Sequence, residues 1–223
     1  RQIEDLAEGA SDAYWVHTEV PAESLTDDQK RYILRYFFDI NTKIIQRFPR
    51  YVELQAQRPA DDAAVEAALS GEWSTQDFID LQVLFNLGWT DPEWLAQAPL
   101  AELVAKGRNF TEADKQVVLD EHLRLIREVI PVHKALQEAG QIEVTTTPYA
   151  HPILPLLVNT SLAREAMPTD KLPDPAFRAL ADAKAQVARG VALYEELFGT
   201  APRGMWPAEG SVAQEIVGMV SEA

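Results

Sequence analysis

The chain has 223 residues, with 20 Lys+Arg against 35 Asp+Glu and a formal net charge of −15; 47% of it is hydrophobic and 25% charged. That composition supplies a packed core and excludes intrinsic disorder and low-complexity sequence, while the length suits one large domain or two small ones. The acidic balance argues against nucleic acid and anionic membrane as main partners, since both need a cationic face. The absence of cysteine excludes disulfides, thiolate metal sites and a cysteine nucleophile.

No apolar run is long enough to span a membrane. The opening RQIEDLAEG is not a signal peptide, which gives a cytoplasmic expectation. The chain does not start with Met, and Ser211–Ala223 reads as an unfinished helix. Both ends are therefore expected to be cuts in a longer sequence.

The first two-thirds reads as helices. Thr26–Phe48 places Ile33, Phe37, Ile40, Ile44 and Phe48 at steps of three and four, one helical stripe. Thr26 with Gln29 forms a capping-box pattern at its start, and Pro49 closes it. A weaker helix covers Asp61–Leu69. Gly71 separates it from Ser74–Leu87, where Phe78, Leu81 and Phe85 make the stripe. Asp91–Lys106 reads as two short helices broken at Pro99. The longest helix is Thr111–Ala139, with Thr111 as cap and Gly140 as the left-handed terminator. Leu119, Leu123, Ile126 and Ile130 form its inner face, which His133 continues as a packing histidine. Pro131 inside it predicts a kink.

After Gly140 the texture changes. Ile142–Thr147 (IEVTTT) is short and β-branched, as a buried strand is. A Pro-rich loop, 148–155, follows it. Asp174-Pro175 is expected to open a long helix with Pro at its first position; Phe177, Leu180, Val187, Val191, Tyr194 and Phe198 share its inner face, and Gly199 ends it. A short extended piece, Arg203–Trp206, leads to a capping box at Ser211–Gln214 and a helix with Val212, Ile216 and Met219 inside.

Residues 12–139 thus read as a helical subdomain. Residues 140–223 read as strand–loop–helix repeated, the alternation that builds parallel sheets and (β/α) barrels. The fold class is α/β, dominated by helix, and two strands alone cannot close a barrel. In such folds sites lie on loops at the carboxyl ends of strands. Two segments meet that requirement, GQIEVTTTPYAHPILPLL (140–157) and GMWPAEGSV (204–212). Each sets a carboxylate and an aromatic residue near a strand end, a combination that suits sugars: aromatic faces pack on pyranose faces while carboxylates bond hydroxyls or attack the anomeric carbon. Tyr149 and Trp206 are stacking candidates or else core. Glu143 alternates with Ile142 and Val144, so it needs either a site or a structural ion partner. His122 and His17 show no partner spacing, HExxH is absent, and no metal site or cofactor is expected. GxSxG and a Gly-rich phosphate loop are also absent.

These two segments resemble conserved regions of glycoside hydrolase family 57, whose members act on α-glucans and related sugars. The intervening ALADAKAQVARGVALYEELFGTAPRG and, in the helical block, FPRYVEL (48–54) and DLQVLFNLGW (80–89) share the likeness. The resemblance implies part of a distorted (β/α)7 barrel with a large helical insertion. It implies an α-glucan partner and places the retaining nucleophile on Glu209, in front of a helix start capped by Ser211, whose dipole favours an ionised carboxylate. It makes Glu143 a substrate or supporting residue and sets His151 along the sugar site, the plain alternative being a hydrogen-bonded loop histidine. The family's His-Gln-Pro triplet is not in this chain, and its acid/base Asp lies downstream of the Glu209 region. An internal piece of a larger enzyme follows, inactive alone and with exposed strand edges that invite self-association. The alternatives are a non-catalytic carbohydrate-binding protein or a helical interaction module on the same scaffold.

Overall fold

The computed structural model describes residues 2–222; Arg1 and Ala223, at the two expected cuts, lie outside them. The chain divides into two compact units, Gln2–Glu128 and Val129–Ala223. Among the described residues no helix is long and apolar enough to cross a membrane.

The first unit begins with α1 (Gln2–Ala7), α2 (Ala13–Glu19), α3 (Asp27–Tyr36), α4 (Thr42–Ile45), α5 (Pro49–Ala56) and α6 (Asp62–Ala67). It continues through α7 (Thr75–Gly88), α8 (Pro92–Leu95) and α9 (Leu100–Lys106) into α10 (Glu112–Glu138). The capping box of α3 forms as expected: Gln29 N–H donates to Thr26 Oγ1 and Thr26 N–H to Gln29 Oε1. The single helix expected over Thr26–Phe48 does not form. It stops at Tyr36, and Asn41 accepts a hydrogen bond from the Lys43 N–H to start α4 anew. Apolar spacing of three and four fits two short helices as well as one. The turn between them lets the consecutive residues Phe37 and Phe38 both be buried.

The centre of this unit is α7. From Phe78 onward it is buried on nearly every side, polar positions included. Phe78, Leu81, Val83, Leu84, Phe85 and Leu87 are all inside, packed with Ile33, Leu34, Ile45, Tyr51, Leu54 and Leu100. Two polar residues are buried with them, and both are satisfied. Asp80 accepts from Arg50 Nε (2.8 Å), Gln76 Nε2 (2.9 Å) and the Phe110 N–H (3.0 Å). Gln82 donates to the His17 carbonyl at 2.7 Å and accepts from Lys115 Nζ at 3.1 Å. Thr111 caps α10 as expected, accepting from the Asp114 N–H. The helix is unbroken through Pro131 and ends before Gly140, which is left-handed (φ 68°). His133 does not continue a buried face: it is exposed, its ring bonded to the Val129 carbonyl one turn back.

The second unit holds the end of α10, α11 (Leu154–Val158), α12 (Ala163–Ala166), α13 (Leu180–Phe198) and α14 (Gln214–Ser221). Its core is small: Leu154, Ala183, Val187 and Ile216, with Leu157, Met205 and Met219 against them. The strand expected over Ile142–Thr147 is reduced to one parallel bridge, Thr146 with Met205, and no sheet or barrel is seen among the described residues. A strand needs a ladder, and here each segment finds one partner at one position. The helix expected from Asp174-Pro175 begins instead at Leu180. The backbone before it is committed elsewhere: Ala179 N–H donates to Leu157 O, and Phe177 N–H to Thr160 Oγ1. Phe177 and Leu180 are accordingly exposed, while Val187, Tyr194 and Phe198 face inward and left-handed Gly199 ends the helix as expected. Ser211 does not cap α14. Ala213 stands at the cap position with no side-chain hydrogen bond, the helix starts at Gln214, and Val212 is exposed rather than inside.

Candidate functional site

The Thr146–Met205 bridge is the centre of the site. Thr146 N–H donates to Gly204 O (3.1 Å) and Trp206 N–H to Thr146 O (2.8 Å), so the two motif segments run side by side in the same direction. In a parallel pair both chains leave from the same end. The loops carrying Tyr149 and His151, and Trp206 and Glu209, therefore follow the bridge on one edge. Glu143 lies three residues before it, roughly 10 Å back along an extended segment. It is exposed, as is its neighbour Ile142, so the buried setting expected from alternation does not occur.

Helix α13 holds the first loop. Gly190 permits this: a Cβ there would collide with the Thr147 carbonyl oxygen. At that close approach Thr146 Oγ1 donates to the Gly190 carbonyl (3.2 Å). One turn earlier, the Gln186 carbonyl accepts from Tyr149 N–H (3.0 Å) and its side chain from Ala150 N–H (2.8 Å). The Arg189 guanidinium sits 3.9 Å over the Tyr149 ring centroid. Neither Gln186 nor Arg189 stood out in the sequence; their signal is the small-residue position Gly190 four residues after Gln186, on the face that meets the loop. Tyr149 thus already has one face covered by a cation. His151 is exposed, in a turn closed by its own N–H on Pro148 O (2.9 Å), with φ 56°.

The second loop is one tight turn, Ala208–Gly210, closed by Gly210 N–H on Pro207 O (2.9 Å). Ala208 is buried and anchors it; Glu209 is exposed, with φ 57°. Because α14 starts only at Gln214, the dipole support expected from a Ser211 cap is absent. Trp206 is 61% exposed, and its ring lies beside Gly210, so indole and carboxylate belong to the same turn. Left-handed φ at a residue other than glycine costs free energy and recurs where side-chain direction matters for function. His151 and Glu209 are two of the three such residues described, the third being Asn109.

The remaining histidines serve structure. His17 stacks on Tyr32, with centroids 4.0 Å apart. His122 Nε2 lies 2.8 Å from Thr90 Oγ1, whose own proton goes to the Asn86 carbonyl, so the ring nitrogen is the donor. Burial holds the His122 pKa below its ordinary value. Among the described residues no cluster of His, Asp or Glu suits a metal ion.

An exposed indole and an exposed carboxylate thus share one turn, beside the bridge that the other motif segment also enters. The family model for glycosyl hydrolase family 57 matches residues 4–223, and the chain belongs to that family. No match to a curated protein or to a solved structure was found.

Proposed function

We propose that this chain is part of a retaining glycosidase or transglycosidase acting on α-linked glucans, with Glu209 as its nucleophile. The observation that carries the reading is the parallel Thr146–Met205 bridge, which sends both motif loops out from one edge. The Glu209 carboxylate attacks the anomeric carbon and the glycosidic oxygen departs with a proton; water or an acceptor sugar then releases the glycosyl group. Trp206 supplies a stacking face beside Glu209, while Tyr149 and His151 border the sugar from the other loop. Glu143, set back from that edge, acts on the substrate only through an extended chain of sugars.

Retention needs a second carboxyl group about 5–5.5 Å from the first. In this reading an Asp from outside these residues supplies it, within a (β/α)7 barrel of which the bridged segments are two strands. The 223 residues alone then bind glucan without hydrolysing it, and their unpaired strand edges favour self-association. The test is Glu209→Gln in an enzyme carrying both carboxyl groups. Turnover of amylose should fall by about 10³-fold or more, as for loss of a covalent nucleophile, with binding largely kept. Full activity in that variant removes Glu209 from the mechanism.

A further inference from the structure

The helical unit contains a cavity of about 500 Å³, none of whose lining residues lies on the Tyr149 or Glu209 loop. That volume lies within the range of small-ligand sites, about 300–1,000 Å³. Two kinds of wall meet in it. The first is aromatic and includes Trp15, Phe85, Trp89 and Trp94. Trp89, at the end of α7, is 62% exposed, and meets Phe85 edge-to-face at 6.4 Å between centroids. Trp94 already carries a cation, since the Arg124 guanidinium lies 5.2 Å over its ring. Arg124 itself is paired with Glu121 and Glu128 and does not line the cavity. Trp15 and Trp89 are the indoles of this wall that no cation covers among the described residues.

The second wall is acidic. Asp12, Asp39 and Asp91 line the cavity, and among the described residues no Lys or Arg does. Arg58 reaches Asp39 at 3.8 Å. Asp12 and Asp91 serve as helix caps, each accepting one backbone N–H at 2.8 Å, from Trp15 and Glu93. An ionised carboxylate has about four acceptor positions, so each cap keeps its charge and spare acceptors. Burial favours the neutral form of His122, the histidine of this wall, so it sets no positive charge against them. The two walls together select by charge and by size. An anion meets three carboxylates in a chain of net charge −15. A neutral molecule draws from those carboxylates only hydrogen bonds that water already makes. A metal ion needs oxygens converging at about 2.0–2.6 Å, and among the described residues no group of His, Asp or Glu does so. An ammonium group on an apolar frame is attracted by both walls. Indole faces hold a cation within about 6 Å of the ring centre, most strongly when it sheds its water, and the carboxylates around it supply the counter-charge.

We infer that this cavity is a site for a free quaternary ammonium ion, held over Trp15 and Trp89 with Asp12 and Asp91 as counter-charges. The inference stands apart from the function proposed above and does not rest on it. A phosphorylated ammonium, such as a lipid headgroup, brings an anion that the same carboxylates repel. The five tryptophans provide five indole N–H resonances, each assignable by substitution. Titrating the 223-residue chain with choline should shift the Trp15 and Trp89 signals saturably. The alcohol 3,3-dimethylbutan-1-ol, which has the shape of choline without its charge, should need about tenfold more or higher. Asn caps a helix as well as Asp does, so Asp12→Asn combined with Asp91→Asn keeps both helix starts and removes both charges. That variant should raise the choline midpoint about tenfold and leave the midpoint of the alcohol unchanged. Trp89→Leu, an apolar replacement at an exposed position, should raise the choline midpoint read at Trp15 about tenfold. The inference is overturned if neither signal moves, or if the alcohol, phosphocholine or maltoheptaose acts at lower concentration than choline. It is equally overturned if the paired Asn variant, shown folded by its circular dichroism, binds choline as the parent does, or if Trp89→Leu leaves the midpoint as it was.

Discussion

Asp80 is a carboxylate with essentially no exposure, held by Arg50, Gln76 and the Phe110 N–H. Arg50 also pairs with Asp77, which caps α7 from its first turn. Burial pushes the Asp77 pKa up, but the Ser74 hydrogen bonds and Arg50 outweigh it and hold the carboxyl below its ordinary range. Removing Asp80 leaves the Phe110 N–H and the Arg50 Nε–H without acceptors, although Arg50 keeps its pairing with Asp77. Asp80→Ala should therefore cost about 1–3 kcal/mol, read as a lower urea midpoint. A loss below about 1 kcal/mol would show that the site relaxes around the deletion. His122 behaves differently. Burial favours its neutral form, so the folded chain binds its proton less readily than the unfolded chain. The stability this gives is complete above the unfolded value of about 6.5 and is lost as pH falls from there toward the lowered folded value. The thermal midpoint should drop across that window, and His122→Gln should flatten that part of the profile. Neither role was legible in the sequence. Asp80 stood inside the DLQVLFNLGW likeness without a role, and His122 showed no spacing, because their partners lie on other helices.

At the scale of elements, local signals were reliable where they are local in physics. The capping box at Thr26, the cap at Thr111 and the left-handed glycines after α10 and α13 stand where the sequence put them, since each is satisfied by atoms within a few residues. Three starts and stops moved, two of them through contacts two or three residues away and one through partners elsewhere in the chain. Asn41 restarted a helix, Leu157 and Thr160 claimed the backbone before α13, and the Ala208 carbonyl claimed Ser211. Gly190 shows the same dependence in reverse. In sequence it is a glycine inside an Ala-rich helix, where it weakens the helix. In the structure it is where the Tyr149 loop meets α13. Gly190→Ala should gain helix propensity yet lose about 1–3 kcal/mol to overpacking against backbone that cannot rotate away. Amide resonances of 146–151 should shift with it. A variant as stable as the parent, with that loop unmoved, would refute the close approach.

At the scale of the whole molecule, the two units differ in how much apolar surface they enclose. The helical unit buries a continuous set of large side chains around α7; the second unit has a core cluster of four buried apolar residues and a single bridge. Stability follows buried apolar area, and opening is easiest where that area is small. Native-state hydrogen exchange should find the slowest amides in α3, α5 and α7, and much faster exchange over 142–179. Uniform protection across both units would contradict this.

By itself the sequence determined the family, the helical texture and two motif loops, because helix periodicity, caps and motif residues are carried by neighbours along the chain. It implied Glu209, Trp206, Tyr149 and His151 as one group, but not how they are held. Only the tertiary structure decided that: a one-position parallel bridge instead of two strands, Gln186 and Gly190 clamping one loop, a left-handed turn carrying Glu209, and an α14 that starts too late to support it. The bridge and the clamp depend on which distant carbonyl or amide a backbone group meets. That competition is settled by packing and leaves no mark in the spacing of residues along the chain.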